Sequence, residues 1–187
     1  MSGVECAAER HGNITCKEVH RRENSIFNGL YRLVPLMRTV GKGWRRLRIG
    51  IVSDVHGNAF GLSRALDLMG PVDLLLCAGD VVEEYRFSNE AVEILRDRDA
   101  RCVLGNHDIG LLGPHGQRAR QSVGVRPDLV EWLASHPLSL ELDVAGSRLL
   151  MTHASPFAPH NHYVTRHSPE LRRFRDLEAD YVVIGHT

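Results

Sequence analysis

Asp54 and His56, Asp80, Asn106 with His107, His153, and His186 form short polar clusters, each placed where an apolar run ends. Carboxylate oxygens, an amide oxygen and imidazole nitrogens are metal donors. A mixed O/N set of this kind suits Mn²⁺, Fe or Zn²⁺ better than the all-oxygen cages of Mg²⁺ or Ca²⁺. The donors are too many for one ion. Two ions sharing a carboxylate would use them all, and a pair ~3.5–4 Å apart suits in-line displacement at phosphorus. Each cluster alone has an ordinary explanation: Gly79-Asp80 is a common turn, and Asn106-His107-Asp108 could cap a helix beside a surface histidine. The ordered set is what points to a shared site.

The intervening elements explain how such residues could meet. Arg48 to Ser53 is a β-branched-rich strand, followed by a loop from Asp54 to Asn58. A helix then runs to Met69, with Leu62, Ala65, Leu66 and Met69 on one face and Gly70-Pro71 as its stop. A strand over 72–78, a helix over about 88–98 with Val92 and Leu95 inward, and a strand over 101–104 complete a βαβαβ order. That order implies a mostly parallel sheet, whose carboxyl edge gathers ligands. The segment 114–124 reads as a polar loop, and Pro127 opens a short helix that Pro137 ends. A hairpin over 138–152 turns at Ala145-Gly146-Ser147, and Tyr181 to Ile184 is a last strand leading to Gly185-His186.

Composition narrows the class. Of the 187 residues, 43% are hydrophobic and 25% charged, as in a soluble globular domain. No apolar run approaches the ~18–20 residues that span a bilayer, and no secretory signal is visible, so a cytoplasmic protein is expected. Cys6, Cys16, Cys77 and Cys102 show no C-x-x-C spacing; Cys77 and Cys102 end apolar runs and read as inert core thiols. Net charge is zero, but residues 1–48 carry ten Lys/Arg against four Glu, and the remainder carries thirteen basic against nineteen acidic residues. The acidic balance of the larger part disfavours nucleic acid as a partner. Residues 1–47 therefore read as a basic N-terminal extension, disordered or partly helical, with Ile26, Phe27, Leu30, Tyr31 and Val34 at helical spacing up to Pro35.

Ser53-Asp54-Val55-His56-Gly57-Asn58, Gly79-Asp80, Gly105-Asn106-His107-Asp108, Thr152-His153-Ala154-Ser155-Pro156 and Gly185-His186-Thr187 together resemble the motifs of the calcineurin-like metallophosphoesterase superfamily. The likeness spans about residues 48–187 and is nearest the small prokaryotic phosphodiesterase-like branch. It implies an α/β protein built as a four-layer α/β/β/α sandwich. One metal would take Asp54, His56 and the bridging Asp80, plus a histidine two positions beyond His186; the other would take Asp80, Asn106, His153 and His186. On this likeness the chain is expected to be truncated within its last motif, leaving the second sheet incomplete.

The activity implied is hydrolysis of a small phosphoester by a hydroxide bridging two divalent ions. Mn²⁺ is the first choice, with Fe, Zn²⁺ or Ni²⁺ as alternatives. His107 would protonate the leaving oxygen or neutralise phosphoryl charge. Glu83, three residues after Asp80, is either an orienting partner for His107 or a solvated loop carboxylate. The Asp-Arg-Gly and Asn-His-Glu patterns of protein Ser/Thr phosphatases are replaced by Glu83-Glu84-Tyr85 and Asp108, which disfavours a protein phosphatase. His160 and His162 could line a substrate pocket or simply occupy a surface loop, and His11, His20, His115, His136 and His167 read as surface histidines. The alternatives to an enzyme are a non-catalytic scaffold on the same fold and an inactive fragment.

Overall fold

The computed structural model describes residues 47–157, 161–165 and 167–186 in full, together with the backbone of four strands up to residue 46. Strands β1 (Cys6–Ala8) and β2 (Ile14–Cys16) form a small antiparallel pair. Strands β3 (Tyr31–Val40) and β4 (Gly43–Val52) pair antiparallel, with Tyr31 opposite Val52 and Val40 opposite Gly43. Tyr31 and Val34, read from their spacing as part of a helix, thus lie in a strand; Ile26, Phe27 and Leu30 fall outside the described residues. The apolar residues fit either period, and the long free side of β4 decides for the strand. Pro35 is tolerated because its partner Arg48 turns both backbone groups the other way. The Arg48 N–H donates to the Asp73 carboxylate and its carbonyl accepts from the Asp73 N–H, so no ladder bond is asked of the proline.

Strand β4 continues into a loop and helix α1 (Ala59–Met69). Asn58 caps the helix by accepting from the Gly61 N–H, and Gly70, at φ 65°, ends it. The buried face is the one expected: Leu62, Ala65, Leu66 and Met69. Strand β5 (Leu74–Cys77) pairs parallel with β4, helix α2 (Asn89–Asp97) is capped by Ser88, and strand β6 (Arg101–Cys102) pairs parallel with β5. The resulting sheet runs β3-β4-β5-β6.

Helix α3 (Asn106–Leu112) follows directly on β6. A 3-10 turn at Pro114–Gly116 and helix α4 (Gln117–Arg120) stand where a polar loop is expected from sequence. Helix α5 (Pro127–Ala134) starts at its proline as anticipated and is tied to α2 by ion pairs joining Arg96 and Arg126 to Glu93 and Asp128. The hairpin of β7 (Ser139–Val144) and β8 (Ser147–Thr152) turns through Ala145 and Gly146, both at positive φ, as a two-residue turn requires. After a 3-10 segment at Pro169–Asp176, strand β9 (Tyr181–Ile184) pairs parallel with β8 in a second sheet, β7-β8-β9.

Two cores hold these layers. Helices α1, α2 and α5 cover one face of the first sheet through Leu62, Leu66, Leu95, Leu129 and Leu133 against Val52, Leu75 and Cys77. The other face packs on the second sheet, Ile49, Leu76 and Val103 meeting Val144, Leu149 and Met151. Cys77 and Cys102 are free and buried, in keeping with inert core thiols. The layers therefore run helix, sheet, sheet. Because β4 and β5 run parallel, as do β8 and β9, the carboxyl ends within each sheet share one edge.

Candidate metal centre

Backbone hydrogen bonds continue past the strand ends within each sheet. The Asp54 N–H donates to the Gly79 carbonyl (3.0 Å), the His56 N–H to Asp80 (2.9 Å), and the Gly185 N–H to His153 (2.9 Å). Between the sheets, the His186 N–H donates to Asp54 Oδ2 at 3.2 Å and the His153 ring reaches the Ala78 carbonyl, so four loops meet at one place. Asp54, His56, Asp80 and His186 all adopt left-handed backbone, with φ of 54°, 48°, 53° and 54°. Each strand thus ends in a sharp turn that throws its side chain back over the sheet edge.

Gly79 and Gly105 make the approach possible. A Cβ on Gly79, itself at φ +91°, would lie 2.7 Å from His153 Nδ1, and one on Gly105 would collide with the Asp80 carboxylate. Asp108 locks the same corner from beneath. Fully buried, it accepts from the Gly105 N–H at 2.9 Å and from the Val82 N–H at 3.1 Å, and burial pushes its carboxyl up to about 6.

Asp54, Asp80, His153 and His186 converge, each offering a donor atom within 4.8 Å of the others. The His153 Nδ1–H donates to the Ala78 carbonyl at 2.7 Å, since a carbonyl only accepts, and this leaves Nε2 as a bare lone pair. Around that nitrogen stand Asn106 Oδ1 (3.1 Å), His186 Nδ1 (3.1 Å) and Asp80 Oδ2 (3.2 Å). So many acceptors facing one another need a cation, and the donor set fits a divalent transition metal. Burial and the neighbouring His153 ring lower the His186 pKa, which favours the neutral imidazole that a metal ligand requires.

Electrostatics point the same way. Burial alone would raise the Asp80 carboxyl, but the His153 imidazole and the His107 backbone N–H hold it below the usual range. Burial works against a charged His153, yet the neighbouring Asp80 raises it overall.

His56 stands at the margin of this group. Its Nε2 is 3.9 Å from Asp80 Oδ2, the same oxygen that stands 3.2 Å from His153 Nε2. A second group joins His56 and His107 to Glu83. The two rings meet edge-on, 4.7 Å apart, beside the half-exposed Glu83 carboxylate. Asn106 and His107 open helix α3, and the His107 N–H donates to Asp80 Oδ1 at 2.9 Å.

His162 is exposed on the loop after β8, and its backbone carbonyl accepts from Ser155; His160 lies outside the described residues, as do His11 and His20. His115 and His167 are exposed. His136 is not the surface residue expected, because it packs edge-on against Trp132 and burial lowers its pKa. Sequence reasoning missed Tyr163, whose ring stacks on His186 at 3.8 Å with an interplanar angle of 19°. No spacing rule links those two residues, so only the folded loop could expose the contact.

Residues 47–187 match the family described as the calcineurin-like phosphoesterase superfamily domain. The chain belongs to that superfamily. It is 36% identical over 118 residues to a symmetrical bis(5'-nucleosyl)-tetraphosphatase of Paracidovorax citrulli, covering 55% of this chain and 42% of the relative. An uncharacterized protein of Methanocaldococcus jannaschii is 30% identical over 123 residues, 59% of this chain and 51% of that protein. A metallophosphoesterase structure from Sphaerobacter thermophilus superposes with a TM-score of 0.60 at 26% identity, covering 75% of this chain and 60% of the other. The chain spans about half the length of the curated relatives it matches. Members of the superfamily are phosphoesterases that use divalent metal ions, and the candidate ligand groups here are of the matching kind. Among the described residues, no helix is long and apolar enough to cross a membrane.

Proposed function

We propose that this chain hydrolyses a small phosphoester at a two-ion centre held by Asp54, His56, Asp80, Asn106, His153 and His186. The observation that carries the reading is the convergence on His153 Nε2 of three metal-donor atoms from separate loops, Asn106 Oδ1, His186 Nδ1 and Asp80 Oδ2, at 3.1–3.2 Å. Two divalent ions, Mn²⁺ first and Fe, Zn²⁺ or Ni²⁺ as alternatives, would supply water activation and charge neutralisation at phosphorus. The chain's part is positioning. Asp80 faces both donor groups, and the Ala78 carbonyl points His153 Nε2 inward.

His107 completes the arrangement. Its backbone is pinned to Asp80 while its imidazole remains about one-third exposed at the rim, where it can hand a proton to a leaving oxygen. The relatives named for nucleosyl tetraphosphates make phosphoanhydride-linked nucleotides the first natural substrates to try. Cytoplasmic residence and a small-molecule partner accord with this reading.

The test is hydrolysis of bis-p-nitrophenyl phosphate by Mn²⁺-loaded protein. Turnover that is abolished by a chelator is expected. His107→Ala should lower kcat by roughly 10²-fold or more, the usual range for a general acid, without releasing metal. Stoichiometric metal binding with no turnover of any phosphoester would sink the enzyme reading in favour of a scaffold.

A further inference from the structure

Tyr163 touches the candidate centre without belonging to its donor set. Its ring lies face to face with His186, the centroids 3.8 Å apart and the planes at 19°. The His186 Nδ1 atom lies in the plane of the imidazole and faces His153 Nε2 at 3.1 Å, so a ring stacked on the face leaves the ligating edge clear. The contact is one-sided. His186 is buried, whereas Tyr163 stays 64% exposed, and with one face against His186 that exposure falls on the other face and the ring's edge. The backbone on either side is fixed, because the His162 carbonyl accepts from the Ser155 N–H at 3.1 Å and Val164 is buried. An aromatic ring is thus held beside the candidate metal centre with one broad face in water.

We propose that the outer face of Tyr163 is the stacking platform for a flat aromatic group carried by the phosphoester, a nucleobase or a simple aryl ring, and so determines substrate preference. This rests on the phosphoester reading above and adds to it the class of group attached to phosphorus. Two properties favour an aromatic occupant. An open π-face gains most from another ring laid parallel and offset on it, whichever base that ring belongs to. A ring already held against His186 also has little rotamer freedom left to lose, so stacking on it costs little further ordering. His186 and Tyr163 make two layers of a stack, and the substrate supplies the third.

Paired ligands that differ in the ring test this on the Mn²⁺-loaded full chain: AMP against ribose 5-phosphate, and phenyl phosphate against methyl phosphate. By calorimetry, AMP should bind roughly 10- to 100-fold more tightly than ribose 5-phosphate, the usual effect of one stacked base. Tyr163→Leu should erase that ratio and leave the affinity for ribose 5-phosphate and for Mn²⁺ unchanged. Tyr163→Phe keeps both ring faces and should retain the ratio. A preference in the AMP pair alone identifies a nucleobase as the occupant; a preference in both pairs identifies any aryl ring.

Equal affinities within each wild-type pair, or no binding of either member, would overturn the proposal. So would a loss in Tyr163→Phe as large as in Tyr163→Leu, which would assign the effect to the hydroxyl. A Tyr163→Leu protein that binds Mn²⁺ and both members of a pair more weakly to the same degree would also overturn it, by making Tyr163 a buttress for His186. A ring preference with no turnover of any phosphoester would defeat the enzyme reading alone and leave the platform standing.

Discussion

Four of the candidate ligands occupy a backbone region that non-glycine residues seldom enter. Asp and His are better tolerated there than bulky or branched residues, but each such residue still stores roughly 1–3 kcal/mol. The surrounding hydrogen bonds hold that strain in place, and Asp108 is central among them. Its folded pKa, raised by burial to about 6 from 3.8 against two backbone N–H donors that lower it, means the folded state binds this proton more tightly than the unfolded one. Its contribution is fully present below pH ~3.8 and lost as pH rises through ~6. Metal-free wild type should therefore lose about 3 kcal/mol between pH 4 and 7 relative to Asp108→Asn, on the order of two pKa units of linkage. Parallel urea curves for the two proteins across that range would refute this.

Helix ends account for much of what the elements do. Helix α2 closes with paired bonds, from the Asp99 N–H to the Arg96 carbonyl and from the Ala100 N–H to the Leu95 carbonyl, while Asp99 sits at φ 50°. That is the position where glycine is preferred. Asp99→Gly should stabilise the protein by about 0.5–1 kcal/mol by removing the left-handed penalty, read as a higher denaturant midpoint at unchanged m-value. Unchanged or lower stability would mean that the Asp99 side chain contributes more than its backbone costs. The same end signals made α1 and β9 legible in sequence, through Asn58, Gly70-Pro71 and the unbroken run Tyr181–Ile184. Helices α3 and α4 were not legible, one because Asn106-His107-Asp108 reads equally as a cap, the other because Gln117–Arg120 is polar and short. Strand β3 was misread because period alone cannot separate a helix from a strand when tertiary pairing supplies the partner.

At the scale of the whole molecule, the candidate centre draws on loops from both sheets: Asp54, Asp80 and Asn106 from the first, His153 and His186 from the second. Ions bound there would tie the two layers together and be linked to global stability. Mn²⁺ at about 100 times its Kd should raise unfolding free energy by about 2.7 kcal/mol per site, reversed by a chelator. A melting temperature indifferent to Mn²⁺ would show that the donors do not bind it. The sequence alone determined the donor types, their order and the strand ends they occupy, because motif chemistry and apolar runs are local properties. Only tertiary structure decided that three donor atoms crowd His153 Nε2, that Tyr163 stacks on His186, and that the half-exposed Glu83 lies beside two imidazoles. Those facts depend on distances between residues far apart in the chain, set by how two sheets stack and how each loop turns at its edge.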